Sequence, residues 1–276
     1  MEYREICGGC DKVSVVGMGT YYDAAWIVLS RLGIRRGAEL KVQALRAGIR
    51  AGINFIDTAE LYGSEPLVGR AIQGQRREDL FIATKVWPTH LRREALFKAL
   101  RASLSRLGTN YVDLYQVHFP NPRVPIGETM GAMEEMVDKG LIRYIGVSNF
   151  SAPQLRAALQ ALKRHRLATV QMEYNLANRR IEADLIPLCK ENGIGVIAYY
   201  PLGHGRLLRN EVVIKVAKEI GRTPAQVVLN WLIGRGAFPI PRASRPDHVV
   251  EDAEATGWEI PSEKREELER ALERGA

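Results

Sequence analysis

The stretch INFIDTAELYGSEPLVGRAI (residues 53–72) decides how this sequence is read. Its first four residues, Ile53 to Ile56, form an apolar run of the kind found in a buried strand. The run ends in a carboxylate at Asp57. A loop carrying the phenol of Tyr62 follows, and then Ser64, with a proline two places on, restarts a helix. A buried strand that delivers polar groups at its tip and passes straight into a helix is half of a βαβ unit. The setting of such a unit is a parallel sheet covered by helices.

The same unit recurs in both directions. Upstream, VSVVGMGT (13–20) reads as a strand. AELKVQALRAGIRAG (38–52) places Val42, Leu45 and Ile49 on one helical face, stopped by Gly52. The quoted stretch itself contributes a strand over 54–59 and a helix over 64–72. Downstream, LFIATKV (80–86) is a strand, and Leu96, Leu100, Leu104 and Leu107 stripe a helix ended by Gly108. YVDLYQVH (111–118) precedes a helix striped by Met130, Met133 and Val137. IRYIGVSN (142–149) leads into a helix capped by Ser151. TVQMEYN (169–175) leads into one carrying Leu185, Leu188 and Cys189. GVIAYYPL (195–202) is followed by helical stretches at 211–220 and 224–235. AFPIPRA (237–243) is the last strand, with short helices over 246–253 and 262–274. Eight strand–helix units in roughly 250 residues predict a closed (β/α)8 barrel forming one domain over 1–276. YREICGGCDKVS, ahead of the first strand, predicts an N-terminal β-hairpin turning at its glycine pair. An open doubly wound sheet is the alternative. It would carry GxGxxG after its first strand, and both GMGTYY (17–22) and GHGRLL (203–208) lack the third glycine.

Composition narrows the function. The 276 residues are 46% hydrophobic and 26% charged, with a net charge of +7, the usage of an ordinary globular protein. No apolar run is long enough to cross a bilayer, and the first residues show no secretory pattern, so a cytoplasmic address is expected. The basic residues are scattered without interleaved aromatics, so neither nucleic acid nor a membrane is the expected partner. Cys7 and Cys10 form a lone CxxC without the second pair a structural zinc site needs, and no metal is expected. The two thiols read as incidental to the hairpin turn, with a disulfide as the alternative; Cys189 reads as core.

In a barrel, chemistry collects where the strands end. Asp57 ends the second strand, Lys85 the third and His118 the fourth. Asn149 ends the fifth, Tyr199 lies late in the seventh, and Tyr62 is one loop beyond Asp57. Each side chain has a plain structural reading, but together at consecutive strand ends they favour chemistry. A phenol with a pKa near ~10 keeps its proton at neutral pH. A neighbouring ammonium, Lys85, is expected to lower that value, and Asp57 would keep the buried ammonium charged. His118 could orient a substrate oxygen beside Tyr62. This is a set that protonates a forming oxyanion. It contains no obvious nucleophile and no metal triad, so the reducing equivalent must come from a bound cofactor. A Schiff-base lyase using Lys85 is a competing reading, and the pairing with Asp57 argues against it.

The sequence resembles the aldo-keto reductase superfamily along nearly its whole length. The matching pieces are GMGT (17–20), INFIDTAELYGSEPLVGRAI (53–72), IATKVW (82–87), DLYQVHFPNP (113–122), LIRYIGVSNF (141–150), VQMEYN (170–175), IAYYPLGHGRLL (197–208) and IPRASRPDHVVED (240–252). The resemblance implies a (β/α)8 barrel that reduces aldehydes and ketones with NADPH, NADH being the poorer cofactor. It implies a catalytic tetrad of Asp57, Tyr62, Lys85 and His118, with Tyr62 as proton donor. It places Gly19, Thr20 and Tyr21 in the cofactor site, Ser148, Asn149 and Gln171 on the carboxamide, and Tyr199 on the nicotinamide ring. The backbone from Pro201 through Leu202 and Gly203 to Leu207 would lie along the pyrophosphate. Arg242, Ser244 and His248 would meet the 2′-phosphate, with Arg245 adding charge nearby, and Glu251 and Asp252 would reach the adenine. Arg242 replaces a frequent lysine and His248 a frequent arginine. Phe119, where many relatives have tryptophan, would line the substrate pocket with Tyr21, Trp87 and His118. The implied partner is a small carbonyl compound, the implied state a monomer. Some relatives are cofactor-sensing subunits with little turnover, which leaves that role as a second alternative.

Overall fold

The computed structural model describes residues 1–273. Strands β1 (Tyr3–Glu5) and β2 (Lys12–Ser14) form the expected antiparallel hairpin. The barrel strands are β3 (Met18–Gly19), β4 (Phe55–Asp57), β5 (Phe81–Val86), β6 (Val112–Val117), β7 (Ile142–Ser148), β8 (Leu167–Glu173), β9 (Gly195–Tyr199) and β10 (Phe238–Pro239). They pair in parallel in sequence order from β3 to β10. The seam closes through Gly17 N–H to the Pro239 carbonyl, Gly19 N–H to the Pro241 carbonyl, and Ala243 N–H to the Gly19 carbonyl. The fold is therefore the (β/α)8 barrel with its N-terminal hairpin. The first and last barrel strands are shorter than the sequence suggests. Pro239 and Pro241 have no N–H to donate, so these two residues bridge the seam only through their carbonyls. Residues 12–14 are taken by the hairpin.

Helices cover the outside: α1 (Ala24–Arg31), α2 (Ala38–Arg50), α3 (Glu65–Ile72), α4 (Arg93–Leu107), α5 (Ile126–Asp138), α6 (Ala152–Ala161), α7 (Leu185–Glu191), α8 (Glu211–Glu219), α9 (Pro224–Gly234), α10 (Pro246–Ala253) and α11 (Ser262–Glu273). Residue 274, the expected end of the last helix, lies outside the described residues. The stripe Leu96, Leu100, Leu104 and Leu107 is buried, and Gly108 ends α4 at φ 66°, the left-handed cap glycine favours. Ser151 caps α6 through Gln154, whose Oε1 accepts from the Ser151 N–H at 2.9 Å. Ser64 precedes α3 as expected but does not cap it. Its hydroxyl instead contacts those of Thr20 at 2.9 Å and Thr58 at 3.1 Å, tying the loop after β4 to the end of β3. Helix α1 has no counterpart among the expected elements. Asp23 starts it by accepting from the Trp26 N–H at 2.6 Å.

The pleat divides the apolar residues into two cores, because successive strand residues face opposite ways. Ile56, Ile82, Tyr115, Val117, Ile145 and Val147 pack outward against helices. Phe55, Phe81, Ala83, Leu114, Ile197, Phe238 and Ile240 fill the barrel interior, joined from below by Ile6, Cys7, Cys10 and Val13 of the hairpin. The hairpin thus plugs the end of the barrel away from the strand tips. Cys7 and Cys10 are bonded to each other in a disulfide, so the pair is part of the plug and not incidental to the turn. Gly195 is where the plug docks: a Cβ there would sit on the Ile6 carbonyl. Gly195→Ala is expected to destabilise the protein by about 1–3 kcal/mol, the usual cost of forcing extra volume into a packed site. Urea unfolding would measure this, and an unchanged midpoint would contradict the close docking.

Candidate active site

The same alternation that fills the barrel delivers its polar upper layer. Following Phe55 inward by two residues gives Asp57. Following Phe81 and Ala83 gives Lys85, and following Leu114 gives Gln116 and then His118. Thr169 leads to Gln171, and Ile197 to Tyr199. The interior is apolar towards the plug and polar at the C-terminal strand ends, so a charged pair is buried at the top of a hydrophobic column.

Lys85 is fully buried and Asp57 is 2% exposed. The Lys85 ammonium donates to Asp57 Oδ1 at 2.5 Å and to the Thr58 carbonyl at 2.9 Å. The second Asp57 oxygen accepts from Gln171 Nε2 at 2.9 Å and more weakly from Gln116 Nε2 at 3.4 Å. Complete burial pushes the Lys85 pKa down, and Asp57 pulls it back. Neither charge would be tolerable alone at this depth. Above them the Lys85 nitrogen lies 4.9 Å from the centre of the Tyr62 ring. The Tyr62 hydroxyl is 3.3 Å from His118 Nε2. The four side chains converge on one point at the floor of a cleft.

The sequence reading of Tyr62 needs a correction. The ammonium was expected to lower the phenol pKa, but burial pushes it well above the usual tyrosine range, and the Asp57 carboxylate pushes the same way. Lys85 is already paired with Asp57, so its charge is largely cancelled as seen by the phenol. The group is held as a neutral O–H. His118 is pushed down to about 3, by burial first and then by Lys85. It is a neutral imidazole at physiological pH.

From this point a cleft of about 990 Å³ runs across the barrel mouth. Ser148, Asn149, Gln171 and Tyr199 line it beside the tetrad, and Gly19, Thr20 and Tyr21 form the facing bank. Asn149, strained at φ 62°, is pinned by three bonds. Its Nδ2 donates to the His118 carbonyl at 3.0 Å and to the Ser148 hydroxyl at 3.1 Å, and its Oδ1 accepts from the Tyr199 hydroxyl at 2.7 Å. Pro201 and Leu202 continue the wall, and Arg242, Ser244, His248, Glu251 and Asp252 close its far end. Arg242 Nη1 is anchored on the Tyr22 carbonyl at 2.7 Å. At the opposite end Trp87 meets Phe119 edge to face, with ring centres 5.9 Å apart, and His118 stacks on Phe119 at 4.9 Å.

Some expected residues are placed elsewhere. Leu207 turns into the core and Gly203 packs against it, and neither lines the cleft; His204, Gly205 and Leu208 take their place. Arg245 points to Asp247, which it bonds at 2.8 Å, and is not on the cleft wall. Sequence reasoning also missed several contributors. Glu60 accepts the Trp87 N–H at 2.9 Å and so fixes the aromatic wall. Tyr200 and His204, both at positive φ, pack against each other at the cleft with ring centres 3.8 Å apart and planes tilted by 37°. Lys41 lies 4.9 Å and 4.6 Å from the ring centres of Tyr22 and Trp26, close enough to Arg242 that the arginine helps burial to depress its pKa. Only Tyr200, as a second aromatic next to Tyr199, left a visible mark in the sequence.

A cleft with this polar set at the strand tips of a (β/α)8 barrel can be compared with known proteins. Residues 35–273 match the model of the Aldo/keto reductase family. The chain belongs to that family. The methylglyoxal reductase YeaE of Escherichia coli K12 is 38% identical over 269 residues, covering 94% of this chain and 91% of its own length. A thermostable aldo-keto reductase solved with the inhibitor epalrestat superposes with a TM-score of 0.88 at 38% identity, covering 98% of this chain and 99% of its own. An aldo-keto reductase of Klebsiella pneumoniae solved with NADPH gives 0.88 at 36% identity, covering 99% and 96%. No helix among the described residues is long and apolar enough to cross a membrane.

Proposed function

We propose that this aldo-keto reductase reduces aldehyde and ketone carbonyls with NADPH, Tyr62 giving the proton. The observation that carries the reading is the neutral Tyr62 hydroxyl 3.3 Å from His118 Nε2 above the buried Lys85–Asp57 pair, in a cleft of about 990 Å³ that also takes in Arg242 and Ser244. The residues present suit that cofactor: amides near the tetrad, a guanidinium at the far end, and Gly19, where a Cβ would meet the Ile240 carbonyl at 2.7 Å. When bound, NADPH supplies the hydride.

The chain's own residues do the rest. A carbonyl oxygen lying between Tyr62 and His118 receives the phenol proton as negative charge develops on it. The phenolate left behind lies over an ion pair whose charge is nearly neutral, with Lys85 Nζ 4.9 Å from the ring centre, so it is a strong base that regains a proton before the next turnover. His118, neutral, orients the oxygen by a hydrogen bond. Trp87, Phe119 and Tyr21 offer aromatic walls and no charge, which suits a small uncharged carbonyl compound. The name of the relative YeaE points the same way. On this reading the protein works as a monomer and draws on a cytoplasmic NADPH pool. The test is loss of nicotinamide absorbance with a panel of aldehydes and ketones. Turnover of several is expected; tight NADPH binding with no turnover of any would favour a sensing subunit.

Arg242 should set the cofactor preference. A guanidinium can hold a phosphate with two parallel bonds, and removing a hydrogen bond to a charged group costs about 1.5–3 kcal/mol. Arg242→Ala is therefore expected to weaken NADPH by roughly 10–100-fold and to leave NADH nearly unchanged. Protein-fluorescence titration with both cofactors checks this, and equal losses would remove Arg242 from 2′-phosphate recognition.

A further inference from the structure

Trp87 forms part of the aromatic wall, yet little holds its ring in place. The indole makes no hydrogen bond among the described residues, and it meets its neighbours edge to face, His118 at 5.6 Å and Phe119 at 5.9 Å between centres. Phe119 is itself 39% exposed. The indole therefore stands where its backbone puts it, and that backbone lies beyond the sheet. Strand β5 stops at Val86, and on the β4 side the chain has already left the ladder for the 3-10 turn Glu60–Tyr62. The Trp87 N–H is left to find an acceptor outside the strands.

One side chain supplies it. Glu60 Oε2 accepts the Trp87 N–H at 2.9 Å, while Glu60 Oε1 lies 2.7 Å from Nδ1 of His90. The His90 N–H donates to the Trp87 carbonyl at 2.9 Å, closing the turn Pro88–His90. A single carboxylate, 18% exposed, thus grips both ends of that turn. Pro88 adds stiffness by restricting the residue before it to extended backbone, and Trp87 sits at φ −74°, ψ 145°. From the β6 side Asn121 Nδ2 donates to the Pro88 carbonyl at 2.8 Å. Glu60 stands two residues before Tyr62 in the same 3-10 turn. Its carboxylate therefore ties the turn that carries the phenol to the residue that carries the indole. Glu60 itself does not line the cleft.

Building on the carbonyl-reductase reading above, we propose that Glu60 is a positioning residue for substrate choice, fixing the gap between the Trp87 indole and the Tyr62 hydroxyl. An aromatic carbonyl compound leans on the indole while its oxygen reaches Tyr62, so its productive pose depends on that gap. A short aliphatic aldehyde reaches Tyr62 without the wall and depends on it little. The effect of Glu60 should therefore grow with the size of the apolar group beside the carbonyl.

The experiment compares wild type, Glu60→Ala and Glu60→Gln with benzaldehyde and with propanal, alongside NADPH titration. Glu60→Ala should lower kcat/KM for benzaldehyde by roughly 10–100-fold, mostly through KM, and change that for propanal and the NADPH Kd little. Glu60→Gln keeps a carbonyl that can accept the Trp87 N–H and should stay near wild type. Equal losses with both aldehydes would show that Glu60 acts on Tyr62 or on folding. That result, no loss in Glu60→Ala, or a Glu60→Gln as poor as Glu60→Ala would each overturn the proposal while leaving the reductase reading intact. A second readout needs no turnover. The ¹⁵N-indole resonance of Trp87, assigned by its absence in Trp87→Phe, should be single and sharp in wild type and Glu60→Gln and displaced or broadened in Glu60→Ala. An indole unmoved in Glu60→Ala would overturn the clamp. A wild type that binds NADPH and reduces neither aldehyde would remove the reductase reading and, with it, the role in substrate choice.

Discussion

Tyr62→Phe is expected to lower kcat for carbonyl reduction by about 10²–10⁴-fold, the range general acid catalysis supplies. The substitution removes one oxygen atom. The ring still packs edge to face on Tyr21 and His118, at 5.3 Å between centres in each case, so the cleft should keep its shape and its affinity for NADPH. The loss should fall on kcat and kcat/KM together, the pattern of an interaction made only in the transition state. Steady-state rates with a fluorescence titration of the cofactor separate the two quantities. Equal turnover in the two proteins would take the proton-donor role from Tyr62.

The second large effect is on stability. Asp57→Ala leaves the Lys85 ammonium, fully buried, with only the Thr58 carbonyl as partner. Breaking a buried ion pair from one side costs about 3–5 kcal/mol, a fall in Tm on the order of 10 °C for a chain of this size. Burial already depresses the Lys85 pKa, so without Asp57 the lysine should shed its proton to fold. The single variant should therefore lose less stability at alkaline pH than at neutral pH. Adding Lys85→Met should recover much of the loss, since the double variant buries no charge, and a double-mutant cycle isolates the coupling. A single variant as stable as the wild type would contradict the buried pair.

Much of this was legible before any coordinates. The (β/α)8 barrel followed from eight repeats of one pattern, because strand and helix periods are dictated by backbone geometry and leave a direct trace in the spacing of Leu, Val and Gly. The tetrad was legible because strand ends in a barrel are neighbours. Once Asp57, Lys85 and His118 were placed at the tips, their convergence was a matter of topology. What sequence could not show was sign and depth. The Tyr62 pKa moves up rather than down because the phenol is buried and Asp57 pushes the same way, a depth and a distance that no spacing in the sequence encodes. The Leu207 side chain goes into the core, which the irregular spacing of the 203–209 loop does not reveal. Helix α1 was missed because its face is weakly patterned, with Val28 59% exposed, and its cap, Asp23, looks like any loop aspartate. The Cys7–Cys10 bond was undecided because CxxC spacing fits a turn with or without it.

The ionisation of Tyr62 in the folded protein bears most directly on the chemistry. With tyrosines labelled by ¹³C at the ring carbon bearing the hydroxyl, the Tyr62 resonance can be assigned by its absence in Tyr62→Phe and followed as pH is raised. A phenol buried over a neutralised ion pair should hold its neutral chemical shift past the point where exposed tyrosines such as Tyr3 ionise, near pH ~10. A Tyr62 resonance that moves to the phenolate position between pH 6 and 8 would mean that the protein stores a base where a proton donor is required.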